Sequence, residues 1–197
     1  MGKREFKPGN MLNPLPVVMV TCLDEEGKPN IITVAWAGTI NTNPPMASIS
    51  VRPSRYSYAG ISKRKAFVIN LVSEELTKAA DYCGVKSGRD VDKFKECNLT
   101  PCKVPGTDIP GIAESPCNIY CEVVEEKLLG SHAMFISNVC GIQVDDQYFD
   151  EKDAFHLNDA KLVTYSHGQY RKMGNSIGKF GFSVQKSKKK KLRKFGI

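Results

Sequence analysis

The apolar positions of this chain fall into short runs rather than into a sustained helical rhythm. Leu15–Leu23 (LPVVMVTCL) is a Val-rich run of strand length. The polar turn Asp24–Pro29 follows, with Gly27 and Pro29 where a hairpin uses them. Asn30–Gly38 returns as a second strand, and Ala47–Val51 is a third, bounded by Pro44, Pro45 and Pro53, which have no N–H for a central ladder. Ser57–Arg64 reads as a short helix with Ser57 as its N-cap, and Ala66–Leu71 as a strand. Ser73 then opens a helix over Glu74–Tyr82, with acids in the first turn where the helix dipole favours them. Cys83–Arg89 holds two glycines and reads as a loop, and Asp90–Cys97 as a short helical piece. Residues 98–116, with four prolines and two glycines, read as a surface connection. Two long strands, Cys117–Glu125 and His132–Asp145, are joined by a turn around Lys127–Gly130, and a last strand, Leu162–Tyr165, precedes a Gly-rich end. Strands outnumber helices, and there is neither a repeat nor a second core. The pattern predicts one mainly β, barrel-like domain with short helices over residues 1–182, followed by a basic tail over 183–197.

The stretch richest in candidate chemistry is Ile31–Tyr58. An apolar strand there ends in small residues and Trp36, and a second strand runs out into Arg52-Pro53-Ser54-Arg55-Tyr56-Ser57. Small side chains let a backbone approach a flat ring. Two guanidiniums with neighbouring hydroxyls suit a phosphate, because the planar fork of arginine pairs with it bidentately. No G-x-G-x-x-G or P-loop sequence is present, so a phosphate would be held by side chains rather than by a glycine-rich loop. On pattern alone the alternative is an ordinary hairpin whose arginines face water and whose single Trp packs in the core.

Charge changes the picture less than its total suggests. The chain has 28 Lys and Arg against 21 Asp and Glu, a net +7. Lys186, Lys188–Lys191, Arg193 and Lys194 supply the whole excess, so the body is neutral and nucleic acid is not the expected partner despite the basic tail. No apolar run is long enough to span a bilayer, and the first residues lack a signal-peptide core, so the expected location is cytoplasmic. Seven cysteines, an odd number, argue against a disulfide framework. The close pairs Cys97/Cys102 and Cys117/Cys121 lack the two-residue gap of zinc or iron–sulfur ligands, so buried reduced thiols are expected and no metal site is assigned.

Taken in order, PLPVVMVTC, NIITVAWAGTINTNPPMASISVRPSRYSY, FVINL, SGRDVDKF, GSHAMFISNV and LVTYSHGQYRKMG resemble the flavin reductase-like, FMN-binding split-barrel family, and within it the flavoredoxin-type branch. The resemblance spans about Asn13–Ser183. It implies a six-stranded antiparallel, Greek-key-like split barrel that forms a homodimer with FMN at the interface. Thr33, Val34, Ala35 and Trp36 would line the isoalloxazine through their backbone. Ser50, Arg52, Ser54, Arg55, Tyr56 and Ser57 would hold ribityl and phosphate, and Asn70 would add a polar contact. Lys93 and His132 would sit near the ring as tuning groups, and Tyr165 with the Gly168–Gly174 stretch would pack beside the cofactor.

The implied activity is that of an FMN-dependent oxidoreductase taking electrons from NAD(P)H or a redox protein and passing them to a soluble acceptor. The flavin does the chemistry, and no dedicated catalytic residue is expected. A non-enzymatic flavin-binding or sensor module is the alternative, and turnover separates the two.

Overall fold

The structure is a computed structural model that describes residues 2–185; the lysine-rich part of the tail, from residue 186 onward, lies outside the described residues. Its elements, in order, are β1 (Leu15–Pro16), β2 (Val18–Leu23), β3 (Pro29–Val34), β4 (Ala37–Asn41), β5 (Met46–Val51), α1 (Tyr56–Arg64), β6 (Ala66–Leu71), α2 (Thr77–Val85), α3 (Lys93–Glu96), β7 (Pro101–Cys102), β8 (Gly111–Ile112), β9 (Cys117–Leu129), β10 (His132–Val144), β11 (Val163–Ser166) and β12 (Gln169–Lys172). No described helix is long and apolar enough to cross a membrane.

Seven strands form one antiparallel sheet in the order β3-β2-β6-β9-β10-β5-β4. Its two edge strands, β3 and β4, are consecutive in the chain and joined only by Ala35 and Trp36. Two residues span well under ~10 Å. The sheet must therefore curl until its edges nearly meet, which makes a barrel split along one seam. The Ser50 N–H donates to the Trp36 carbonyl (2.9 Å) and pins β5 to that seam. A three-stranded sheet, β1-β11-β12, and the two-stranded β7-β8 lie outside the barrel sheet.

Alternation along the strands explains the continuous apolar runs of the sequence. Val18, Val20 and Cys22 of β2 point into a core with Ile32, Ile49, Phe67 and Phe135. Met19 on the same strand faces outward, and is covered with Ile31 by Ala80 and Cys83 of α2 and by Phe94. Both faces of the central strands are buried, so the period-2 signal disappears. Removing a fully buried ring such as Phe67 or Phe135 costs about 3–5 kcal/mol in such a core.

Several boundaries differ from the sequence expectation. The Asn30–Gly38 strand breaks at Ala35-Trp36, because those residues turn the chain from one sheet edge to the other. Ser57 is not an N-cap. Arg55 holds that position in extended geometry, and Ser57 is buried within α1, its Oγ accepting from Asn30 Nδ2 (2.7 Å). The helix expected at Glu74 starts at Thr77, since Ser73 is paired with Leu162 and Glu74 N–H donates to the Lys161 carbonyl. It runs on to Val85, so Cys83 and Gly84 are helical rather than loop. Residues 98–116 are no mere surface connection: Val104, Ile109 and Ile112 are buried, the first two packing against Val68 and Tyr120. The β9–β10 hairpin is longer than expected and turns at Gly130, whose φ of 73° suits glycine. The expected six strands are seven in the main sheet, with β11 and β12 making a further hairpin.

Candidate functional site

The seam of the split barrel is where the sequence-picked residues converge. A central cavity of about 280 Å³ is lined by Thr33, Val34, Ala35, Trp36, Ser50, Arg52, Arg55, Gly84 and His132. β3 is an edge strand, so its outer backbone groups have no neighbouring strand to pair with. Those groups, with the small Ala35, form a polar backbone wall beside the rings of Trp36 and His132. The two rings pack at a centroid distance of 4.3 Å and an angle of 49°. His132 pairs through Nδ1 with Ser131 Oγ (2.9 Å), and burial, aided by Arg52, lowers its pKa below the ordinary value, keeping it neutral at pH 7.

On one side the cavity adjoins a cationic pit of about 180 Å³, with which it shares Arg55. Ser54, Tyr56, Ser57, Lys86, Arg89 and Lys93 also line that pit. Local sequence builds it directly. Pro53 ends β5, Arg55 N–H closes a turn onto the Arg52 carbonyl (2.9 Å), and α1 begins at Tyr56. α1 has no side-chain cap and no acid in its first turn, leaving its positive end for an anion. The Arg55 guanidinium donates to the Gly84 carbonyl at the end of α2, and Arg89 lies over the Tyr56 ring at 5.7 Å. A Cβ at Gly88 would fall 2.2 Å from Asn30 Oδ1, so only glycine lets this loop come so close to β3.

On the other side lies an apolar shelf of about 480 Å³, where Met11, Leu12, Leu15, Ala37 and Gly38 continue from Trp36 and Ser50. Leu12 is 86% exposed and Met11 56%. Among the described residues no carboxylate lines any of the three cavities. This run of apolar shelf, backbone wall and cationic pit fits an elongated ligand with a planar polar ring system and an anionic end.

Lys93 takes part from behind. It is 4% exposed, and its Nζ donates to the carbonyls of Ile31 (2.6 Å) and Cys83 (2.9 Å), tying β3 to α2. Burial, with Arg55 nearby, lowers its pKa from the ordinary lysine value. Two expected residues are not brought to the site. Asn70 is fully buried: its Nδ2 donates to Met19 O and Thr21 Oγ1, and its Oδ1 accepts from Ile112 N and Asn118 Nδ2. Every polar valence of that amide is spent on the fold. Tyr165 packs edge-on against Tyr170 (5.5 Å) above the α2 core and lines none of the three cavities. Gly84, Lys86, Arg89, Met11 and Leu12 were not singled out from sequence. For the middle pair the signal was present, as cations flanking Ser87-Gly88.

The flavin reductase-like domain matches residues 11–174 of the chain. The chain belongs to the flavin reductase-like family. Among solved structures of this family, a flavoredoxin of Desulfovibrio vulgaris (Miyazaki F) is 27% identical, with a TM-score of 0.86 over 93% of this chain and all of that one. A flavoredoxin from Methanosarcina acetivorans is 25% identical, with a TM-score of 0.85 over 94% of this chain and all of that one. A flavin reductase of Pseudomonas putida is 24% identical over 134 residues, 68% of this chain and 75% of that protein. Membership of the family accounts for the curled sheet and places the seam cavity within a flavin reductase-like fold.

Proposed function

We propose that this chain is an FMN-binding oxidoreductase that passes electrons from NAD(P)H or a reduced redox protein to a soluble acceptor. The observation that carries the reading is the acid-free seam, with Arg52 in its central cavity, Arg55, Lys86 and Arg89 toward one end and Trp36 toward the other. A bound flavin supplies the two-electron chemistry. The chain's residues bind, orient and screen it. The 33–36 backbone and Ser50 hold the ring, while Arg52, Arg55, Ser54, Tyr56 and Ser57 hold ribityl and phosphate, joined by Lys86 and Arg89. Lys93 keeps β3 and α2 in register behind the wall, and its positive charge favours a reduced, anionic cofactor. His132, neutral and packed at a tilt against Trp36, covers the open side without adding charge.

The compact pit favours a monophosphate end, which selects FMN over free riboflavin. A second copy of the chain would cover the apolar shelf at Met11, Leu12 and Trp36, so the working form is a homodimer with the cofactor at its interface. Titration of the purified chain with FMN and with riboflavin, followed by flavin fluorescence, tests the reading. FMN is expected to bind with one equivalent per chain and riboflavin far more weakly. Equal affinity for the two would remove the phosphate role of the arginine pit.

A further inference from the structure

Two thiols outside the seam lie close enough to react with one another. Cys83, on the last turn of α2, is fully buried, and Cys97 caps the C-terminal end of α3; their sulfurs are 4.0 Å apart. They are the one cysteine pair in sulfur–sulfur contact among the described residues. A disulfide needs a sulfur separation of about 2 Å, so closure asks for an approach of about 2 Å shared between two side chains at helix ends.

Cys97 is partly exposed, in a cavity of about 430 Å³ between α2 and α3. Glu75, Glu96 and Glu114 line that cavity against a single cation, Lys78. Glu114 is held in place, both of its carboxylate oxygens accepting from the Thr100 N–H at 3.0 Å. The mouth is therefore electronegative, which raises the local concentration of cations and repels anions.

We propose that Cys83 and Cys97 form an oxidisable dithiol, reached at Cys97 through this acidic cavity by neutral or cationic small oxidants. With hydrogen peroxide, the Cys97 sulfur attacks one oxygen and the O–O bond breaks. The thiol proton leaves with the departing hydroxide as water, and Cys97 becomes a sulfenic acid. The Cys83 sulfur then attacks that sulfur and expels a second water, so two thiols lose two electrons and two protons and the peroxide becomes two waters. With a small disulfide such as cystamine, Cys97 displaces one cysteamine to form a mixed disulfide, and Cys83 displaces the second. The bridge joins the end of α2 to α3, the same two elements that the Lys93–Cys83 hydrogen bond already links.

The test uses the full chain, exposed at low salt to equal concentrations of hydrogen peroxide, cystamine and oxidised glutathione. Remaining thiols are counted after denaturation, and tryptic peptides are mapped by mass spectrometry. The expected product has lost one pair of thiols and links the peptides Ala79–Lys86 and Glu96–Lys103. Cystamine is expected to react at least about tenfold faster than the anionic oxidised glutathione, and added salt to narrow the gap. The link should persist in Cys102→Ser and Cys140→Ser and vanish in both Cys97→Ser and Cys97→Ala. No linked pair, a link between other cysteines, or its survival in the Cys97 variants overturns the dithiol. Equal rates with cystamine and oxidised glutathione overturn the acidic entrance.

Discussion

Arg55 stands where the central cavity meets the cationic pit, and its guanidinium already donates to the Gly84 carbonyl. A charge-assisted bond to a phosphate is worth about 2 kcal/mol, so Arg55→Ala should weaken FMN binding roughly thirtyfold. Riboflavin, which has no phosphate, should bind the variant and the parent alike. Fluorescence titration of both ligands reads this directly, and a parallel loss for riboflavin would show damage to the fold instead. At this scale the arginines were legible because two guanidiniums and three hydroxyls within six residues suit few ligands other than an anion. Asn70 was not. It lies on a strand buried on both faces, where alternation no longer reports which way a side chain points. Its amide serves as a junction between β2, β6 and the 111–118 segment.

α1 carries the pit's residues and depends on close packing against β2. A Cβ added at Gly60 would lie 2.1 Å from the Leu23 carbonyl oxygen, with Asp24 Cα at 3.1 Å. Both neighbours are backbone and cannot rotate away. Gly60→Ala should therefore destabilise the protein by about 2–3 kcal/mol, measured by chemical denaturation, and should also lower FMN affinity by displacing Ser57 and Arg55. Unchanged stability would mean that α1 can shift freely. Most strands were readable from Val- and Ile-rich runs between turn residues, and β6 matches its expected bounds. The start of α2 was not, because the backbone of the 73–74 segment pairs with Lys161 and Leu162, nearly ninety residues away. No local pattern encodes that competition. The 98–116 segment was misjudged for a similar reason. Its prolines mark turns correctly, but its four buried aliphatic residues, Leu99, Val104, Ile109 and Ile112, are too widely spaced to register as an element.

For the whole molecule, buried titratable groups set how stability responds to alkali. Burial pushes Cys22, Cys83 and Cys121 up to about 12 and Cys117 to about 11, from 9.0. A raised folded pKa gives stability that is whole below the unfolded value and is lost as pH climbs toward the folded one. Each thiol therefore removes about 1.4 kcal/mol per pH unit above pH 9.0. Lys93 works in the opposite sense, since its lowered pKa means the unfolded chain binds more protons in its window, but it is one group against four. Denaturation at about pH 8 and about pH 10 should show a steep fall, with a smaller slope in Cys121→Ala. A flat profile would contradict the burial of these thiols.

The pattern alone pointed to a barrel-like domain; its split-barrel form came through resemblance, and the physical basis of that form is the two-residue link between opposite sheet edges. No window of sequence shows that β3 and β4 are the two opposite edges of the seven-stranded sheet, with five strands between them. That seam is also where the proposed flavin chemistry lies. The most direct measurement is the visible absorption spectrum of the FMN-loaded protein under anaerobic conditions, before and after NADH, NADPH or a reduced redox protein is added. The expected result is a two-banded flavin spectrum that bleaches with one of these donors and returns when an acceptor is supplied. A bound flavin that stays oxidised with every donor would contradict the oxidoreductase reading and leave a binding module in its place.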